Sequence, residues 1–165
     1  MLSEIKTVTR RLDVVLRWII LFVFIDQLTK KLAVDYLSTQ SFPLIPNFLS
    51  FTLVYNKGMA FGLLANARFL FLAVSVVALI IGWKYYKLYF TKSVWFYWAG
   101  ILFFAGTLGN FLDRLFYGQV TDFIAVHFGS YPFPIFNMAD SFLCISVIII
   151  LAAVLLEEKQ GKDEA

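Results

Sequence analysis

Four runs of apolar residues, each approaching the ~20 residues a helix needs to cross a bilayer, constrain this chain more than any other feature. They lie at about 17–37, 68–90, 94–114 and 136–156. Apolar residues make up 61% of the chain and charged residues 15%, and the mean hydropathy is +0.79, so a soluble globule is excluded. The expectation is an all-α membrane protein of four transmembrane helices, a single integral membrane domain over residues 1–165. The uncharged part of the second run is short, Phe69–Trp83, but Arg68 and Lys84 flank it with stems that can snorkel. The first run follows Lys6, Arg10, Arg11 and Arg17 as a signal peptide would. No small-x-small cleavage site follows it, and Asp26, Gln27, Thr29 and Lys30 interrupt it, so it reads as a retained helix.

The formal charge of +3 comes from basic residues scattered outside the apolar runs, which argues for membrane orientation and against nucleic-acid binding. Lys and Arg crowd the N-terminal tail and the loop holding Lys84, Lys87 and Lys92, whereas residues 115–135 have none. Both termini are therefore expected on the cytoplasmic side. On the outer side, Phe51, Leu53 and Tyr55 alternate with Ser50, Thr52 and Val54 within Ser41–Gly62, a strand-like period of two. Val120–Ile135, rich in β-formers with Gly129, Pro132 and Pro134, carries a similar expectation.

Ionisable groups inside a bilayer cost roughly 2.5–3.5 kcal/mol on the insertion scale, so those that remain are candidates for function. Between Val14 and Leu156 there is no Glu and there are five Asp: 26, 35, 113, 122 and 140. Asp26 and Lys30 share a helix face at i, i+4, which fits a structural ion pair as well as a functional one. Asp35, at the outer surface, reads as solvated. Asn110 and Arg114 repeat the i, i+4 spacing, with Gly106 and Thr107 one turn earlier, and either bond neighbouring helices or bind a phosphate or carbonyl oxygen. Asn137 and Asp140 fall in a first helical turn, where the dipole favours a carboxylate. Asp122 has no charged sequence neighbour and is followed by Phe123 and Ile124, so burial would raise its pKa. Two carboxylates whose surroundings push their protonation apart suit a general acid/base pair.

Other chemistries are less supported. One His and one Cys exclude a disulfide framework and a His/Cys zinc site. His127, with Ser130 and Ser141 the nearest hydroxyls, reads as an interfacial loop residue, Cys144 as packing, and Gly106 and Gly109 as helix-contact glycines. Asp113, Asp122 and Asp140 could hold Mg²⁺, which keeps a metal-dependent lipid phosphotransferase open. An ion-coupled carrier and a structural subunit are rivals from other classes.

Five blocks carry a resemblance: DQLTK at 26–30, NKGMAFG at 56–62, GTLGNFLDR at 106–114, VTDFI at 120–124 and FNMAD at 136–140. In this order, on a chain of this size, they resemble the bacterial lipoprotein signal peptidases, signal peptidase II. The resemblance implies an aspartic endopeptidase of the bacterial cytoplasmic membrane, with four spans and a small β-cradle on the extracytoplasmic face, where the active site lies. It implies that the enzyme removes signal peptides from diacylglyceryl-modified prolipoproteins, cutting before the lipidated Cys, and responds to globomycin-type inhibitors. It further implies Asp122 and Asp140 as the catalytic pair, with Asp26, Lys30, Asn56, Gly58, Asn110, Arg114, Asn137 and Ala139 supporting site and substrate, and no metal or other cofactor. Membrane lipids are the other expected partner, and the acyl chains would lie near Phe61, Phe123 and Phe136. The sequence departs from the family pattern at Met59, where NxGAAF or NxGAAW has Ala, and at Thr121, where VVDF has Val. Neither removes a functional group, and Met59 bears on inhibitor and substrate preference.

Overall fold

In the computed structural model the described residues are 2–58, 64, 66–89, 93–129, 131 and 133–163, with side chains described from 12 to 156. Met59, Phe61, Lys92, Ser130 and Pro132, and the side chains of Lys6, Arg10 and Arg11, lie outside them. Helices α1 (Leu2–Leu37), α2 (Arg68–Tyr89), α3 (Val94–Tyr117) and α4 (Met138–Asp163) alternate with strands β1 (Phe42–Ile45), β2 (Leu49–Asn56) and β3 (Val120–Val126). Three helical segments, Arg68–Tyr89, Val94–Tyr117 and Met138–Leu156, are long and apolar enough to cross a membrane. Their outward faces keep Phe69, Ile80 and Ile148 exposed, as a surface meeting lipid requires. Helix α1 spans 36 residues but carries Asp26, Lys30, Lys31 and Asp35 in its second half.

The segments with strand-like patterns, within 41–62 and 120–135, do carry strands. They form one antiparallel sheet in the order β1-β2-β3. The edge strand β1 carries Pro43, which an edge tolerates because no ladder donor is needed there. The turn into β2 is closed by Phe48 N–H to Ile45 O at 3.1 Å, with Asn47 at φ 60, a left-handed conformation that Asn accepts readily. On β3, Asp122 and Thr121 point to opposite faces, because successive strand residues alternate.

Helix ends are held by local chemistry. The Ser93 hydroxyl accepts from Trp95 N–H at 3.2 Å to start α3, and Gly118, at φ 73, ends it with its N–H on Arg114 O. Arg68 reaches across to donate to Leu115 O at 2.7 Å, placing a cation on the negative end of the α3 dipole. At the end remote from the sheet, Val15, Ile19, Tyr86, Ile101 and Phe104 form a buried cluster that locks α1, α2 and α3.

Helices α3 and α4 approach closely through small residues. A Cβ at Gly106 would collide with Ala139 O and Leu143, and one at Gly109 would collide with the Asp26 carboxylate and come within 3.1 Å of Ala139 Cβ. These are helix-contact glycines, as expected. Overpacking of this kind costs about 1–3 kcal/mol. Gly109→Ala is therefore expected to lower the melting midpoint by about 2–4 °C for each kcal/mol lost. Gly82→Ala, opposed only by the Phe103 ring, which can turn, should shift it less. Equal midpoints in calorimetry of the two variants would contradict this packing account.

Candidate active site

Asn137 and Asp140 cap the start of α4 reciprocally. Asp140 N–H donates to Asn137 Oδ1 at 3.0 Å, and Asn137 N–H donates to Asp140 Oδ2 at 3.2 Å. This is a capping box with Asn and Asp in the two roles, so the local sequence NMAD holds one oxygen of the Asp140 carboxyl. The Asn137 amide remains available to other elements. It donates to Asp122 Oδ1 at 2.7 Å and to Asn110 Oδ1 at 3.1 Å, and Asn137 is fully buried. Asn110 donates in turn to Asp140 Oδ1 at 2.7 Å. One asparagine thus touches both carboxyls, and a second closes the ring.

Asp122 comes from the middle of β3, opposite Val54, with 2% of its surface exposed. Its other oxygen accepts from Asn56 Nδ2 at 3.1 Å, and Asn56 Oδ1 accepts from Gly58 N–H at 2.9 Å, so the end of β2 turns around the carboxyl. Burial, and then the neighbouring Asp140 carboxyl, push the Asp122 carboxyl up to about 7, against the pull of Asn56, Asn137 and the Lys30 charge.

Both carboxyls line a cavity of about 480 Å³ whose other walls include Asn56, Arg114, Phe136 and Cys144. Arg114 donates to Gly58 O at 3.2 Å, stands 4.7 Å from the Phe71 ring centre and places its charge toward Asp140 and Asp122. The carbonyl that this arginine meets belongs to the chain itself. One expectation is corrected here. Cys144 is exposed on the cavity wall instead of packed, because it lies one turn from Asp140 on the same face of α4. Phe123 turns away with the opposite face of β3 and meets Phe51 and α1 in a separate apolar groove, whereas Phe136 lines the cavity.

Behind β3 lies a second, buried polar group. Lys30 Nζ sits 2.9 Å from Asp26 Oδ2 and 3.2 Å from Asp113 Oδ2, and donates to Asn110 Oδ1 at 3.1 Å. Asp26 accepts the Ala139 backbone N–H at 2.9 Å, and Asp113 accepts that of Thr121 at 2.9 Å. Asp26 and Lys30 thus form the ion pair that their spacing suggested. The sequence did not place Asp113 and Gln27 in this group; Gln27 Nε2 donates to Asp113 Oδ1 at 2.9 Å. The available signal was an aspartate inside an apolar span one turn from Asn110, which needed a cation.

Both Asp113 oxygens are occupied by these donors, so the three aspartates considered for Mg²⁺ do not converge. Among the described residues no group of three His, Cys, Asp or Glu could hold a metal ion. Asp35 pairs with Lys31 at the surface, and exposed His127 meets half-buried Ser50 at 3.2 Å on the sheet instead of Ser141.

Known proteins match this arrangement. The lipoprotein signal peptidase of Syntrophotalea carbinolica is 40% identical over 138 residues, covering 81% of this chain and 85% of that protein. That of Staphylococcus haemolyticus is 39% identical over 145 residues, covering 87% and 91%. Two solved structures of a bacterial membrane enzyme, obtained by the in meso method at 2.3 and 1.9 Å, superpose with TM-scores of 0.76 and 0.74 at 35% and 36% identity. The first pair covers 90% of this chain and 91% of the other, the second 87% and 93%. Residues 18–156 match the family signal peptidase (SPase) II, and the chain belongs to that family.

Proposed function

We propose that this chain is a membrane aspartic endopeptidase that removes the signal peptide from diacylglyceryl-modified prolipoproteins, with Asp122 and Asp140 as its acid/base pair. The observation that carries the reading is Asn137, whose side chain bonds Asp122 while its backbone N–H bonds Asp140. In this proposal α1 is a fourth membrane-crossing helix, because Asp26 and Lys30 neutralise each other in its interior. The termini are cytoplasmic, and the sheet and cavity face outward in a bacterial cytoplasmic membrane. Asn56, Gly58, Asn110, Arg114, Asn137 and Ala139 position the pair and the substrate backbone.

The chemistry follows from two carboxyls that cannot both ionise cheaply at close range. Asp122, buried and raised to about 7, holds the shared proton and is the acid, and Asp140, in the first turn of α4, is the base. Asp140 takes a proton from water as the water oxygen bonds to the carbonyl carbon before the lipidated Cys. Asp122 gives its proton to the carbonyl oxygen. The C–N bond then breaks as Asp140 passes its proton to the departing nitrogen and Asp122 recovers one from the hydroxyl, leaving a carboxylic acid, an amine and the original pair. The diacylglyceryl group anchors the scissile bond at the outer interface, the level of this cavity.

Asp122→Asn and Asp140→Asn should each lower cleavage of a lipid-modified precursor by about 10²–10⁴-fold, with chelator making no difference. Cleavage retained in either variant contradicts the pair, and loss on chelation supports a metal instead. The wild-type rate should fall as pH rises through about 7, where Asp122 loses its proton. A rate flat across that range would oppose the assignment of the acid.

The same shift bears on stability. Because the folded pKa is raised, the native state holds a proton that the unfolded state releases above about 4, so stability declines between pH 4 and pH 7 and is level beyond. Asp122→Asn removes that cost. Its melting midpoint should exceed the wild type's at pH 8, by a margin that narrows toward pH 4; a lower midpoint at pH 8 would refute the burial argument.

A further inference from the structure

The residues directly preceding the two site aspartates are tethered in the same way. Thr121 N–H, next to Asp122, ends on Asp113 Oδ2 at 2.9 Å, and Ala139 N–H, next to Asp140, ends on Asp26 Oδ1 at 2.9 Å. Lys30 bridges the two receiving carboxylates at 2.9 and 3.2 Å. Gln27 touches both as well, at 3.2 Å to Asp26 and 2.9 Å to Asp113, and donates to Gly109 O at 3.2 Å. Asp26, Lys30 and Asp113 expose 0%, 4% and 1% of their surfaces, so water does not loosen these bonds.

We propose that Asp113, bridged by Lys30 to Asp26, is a positioning residue that sets the separation of Asp122 and Asp140 through the backbone of Thr121. The inference rests on the acid/base reading of that pair. Asp113 has no place in the cavity that the pair lines. Together with Lys30, Gln27 and Thr121 it lines a different cavity of about 350 Å³ on the other face of β3, rimmed by Lys31, Asp35, Tyr55 and Tyr117. An effect of Asp113 on turnover therefore reaches the pair indirectly, through Thr121 on the strand or through Lys30 and Asn110, and lost protection at Thr121 distinguishes the first route. The leverage is large, because a 1 Å misplacement of a reacting group can cost about 10²-fold in rate. It also gives the arrangement a reason: two anchors on different helices, held by one ammonium, reinforce the backbone bonds of Ile124 to Phe136 in fixing β3 against the start of α4.

The second cavity makes the inference testable by chemical rescue. Asp113→Ala leaves Lys30 still paired with Asp26, so no buried charge is abandoned, and it opens a space beside a polar cavity into which a small carboxylate such as formate can pass. The full chain in detergent, with a lipid-modified precursor, is assayed as wild type, Asp113→Ala and Asp122→Asn. Asp113→Ala is expected to lose about 10²-fold in kcat with KM within about twofold, and formate should restore turnover saturably without activating the wild type. Amide hydrogen exchange should show lost protection at Thr121 with α3 unchanged. Wild-type kcat per folded molecule in Asp113→Ala, failure of formate to restore a folded variant, or unchanged Thr121 protection would each overturn the proposal. Asp122→Asn separates this from the underlying reading: cleavage retained there removes the acid/base pair, whereas its loss beside an unaffected Asp113→Ala removes only the positioning role.

Discussion

One buried ammonium organises the sheet end of this protein. Lys30 reaches Asp26 one turn away on its own helix and Asn110 and Asp113 on α3, and each of those partners holds part of the candidate site. Removing a partner from a buried ion pair leaves an uncompensated charge and costs several kcal/mol, so the helices and the sheet are committed to one arrangement around it. The close approach at Gly109 serves the same end, since only a residue without Cβ leaves room for the Asp26 carboxylate. Stability and site geometry here share the same bonds.

The two sides of β3 divide the labour. Thr121 faces the ionic group and Asp122 the reaction cavity, so one strand transmits position while keeping the charges of the support apart from those of the site. Between them Asn110 accepts from Lys30 and donates to Asp140, the one side chain that belongs to both groups. An asparagine suits that place because its amide offers an acceptor and donors on opposite sides without adding charge.

Much of this was legible in the residues, and what was hidden follows a physical rule. Periods within one element were readable: the apolar spans, the alternation around Phe51, the i, i+4 pair of Asp26 and Lys30, and the i, i+3 pair of Asn137 and Asp140. Contacts between elements far apart in sequence were not. Gln27 and Asp113 meet across 86 positions, and no local spacing announces such a bond. The face taken by Phe123 depended on how β3 was seated against α1, and the exposure of Cys144 on which face α4 turns to the cavity. Five short blocks made the family recognisable because each carries a residue of the site, not because any block specifies the packing between them.

The central claim is that Asp122 and Asp140 share one site, where the Asp140 carboxyl acts on Asp122. Carboxyl ¹³C NMR of aspartate-labelled protein in detergent, followed over pH, tests it most directly. The account predicts that Asp122 titrates near pH 7 and that this step moves down when Asp140 is replaced by Asn, since the repulsion that raises it has gone. An Asp122 that titrates in the usual carboxylate range near 4, and stays there whether or not Asp140 is present, would contradict it.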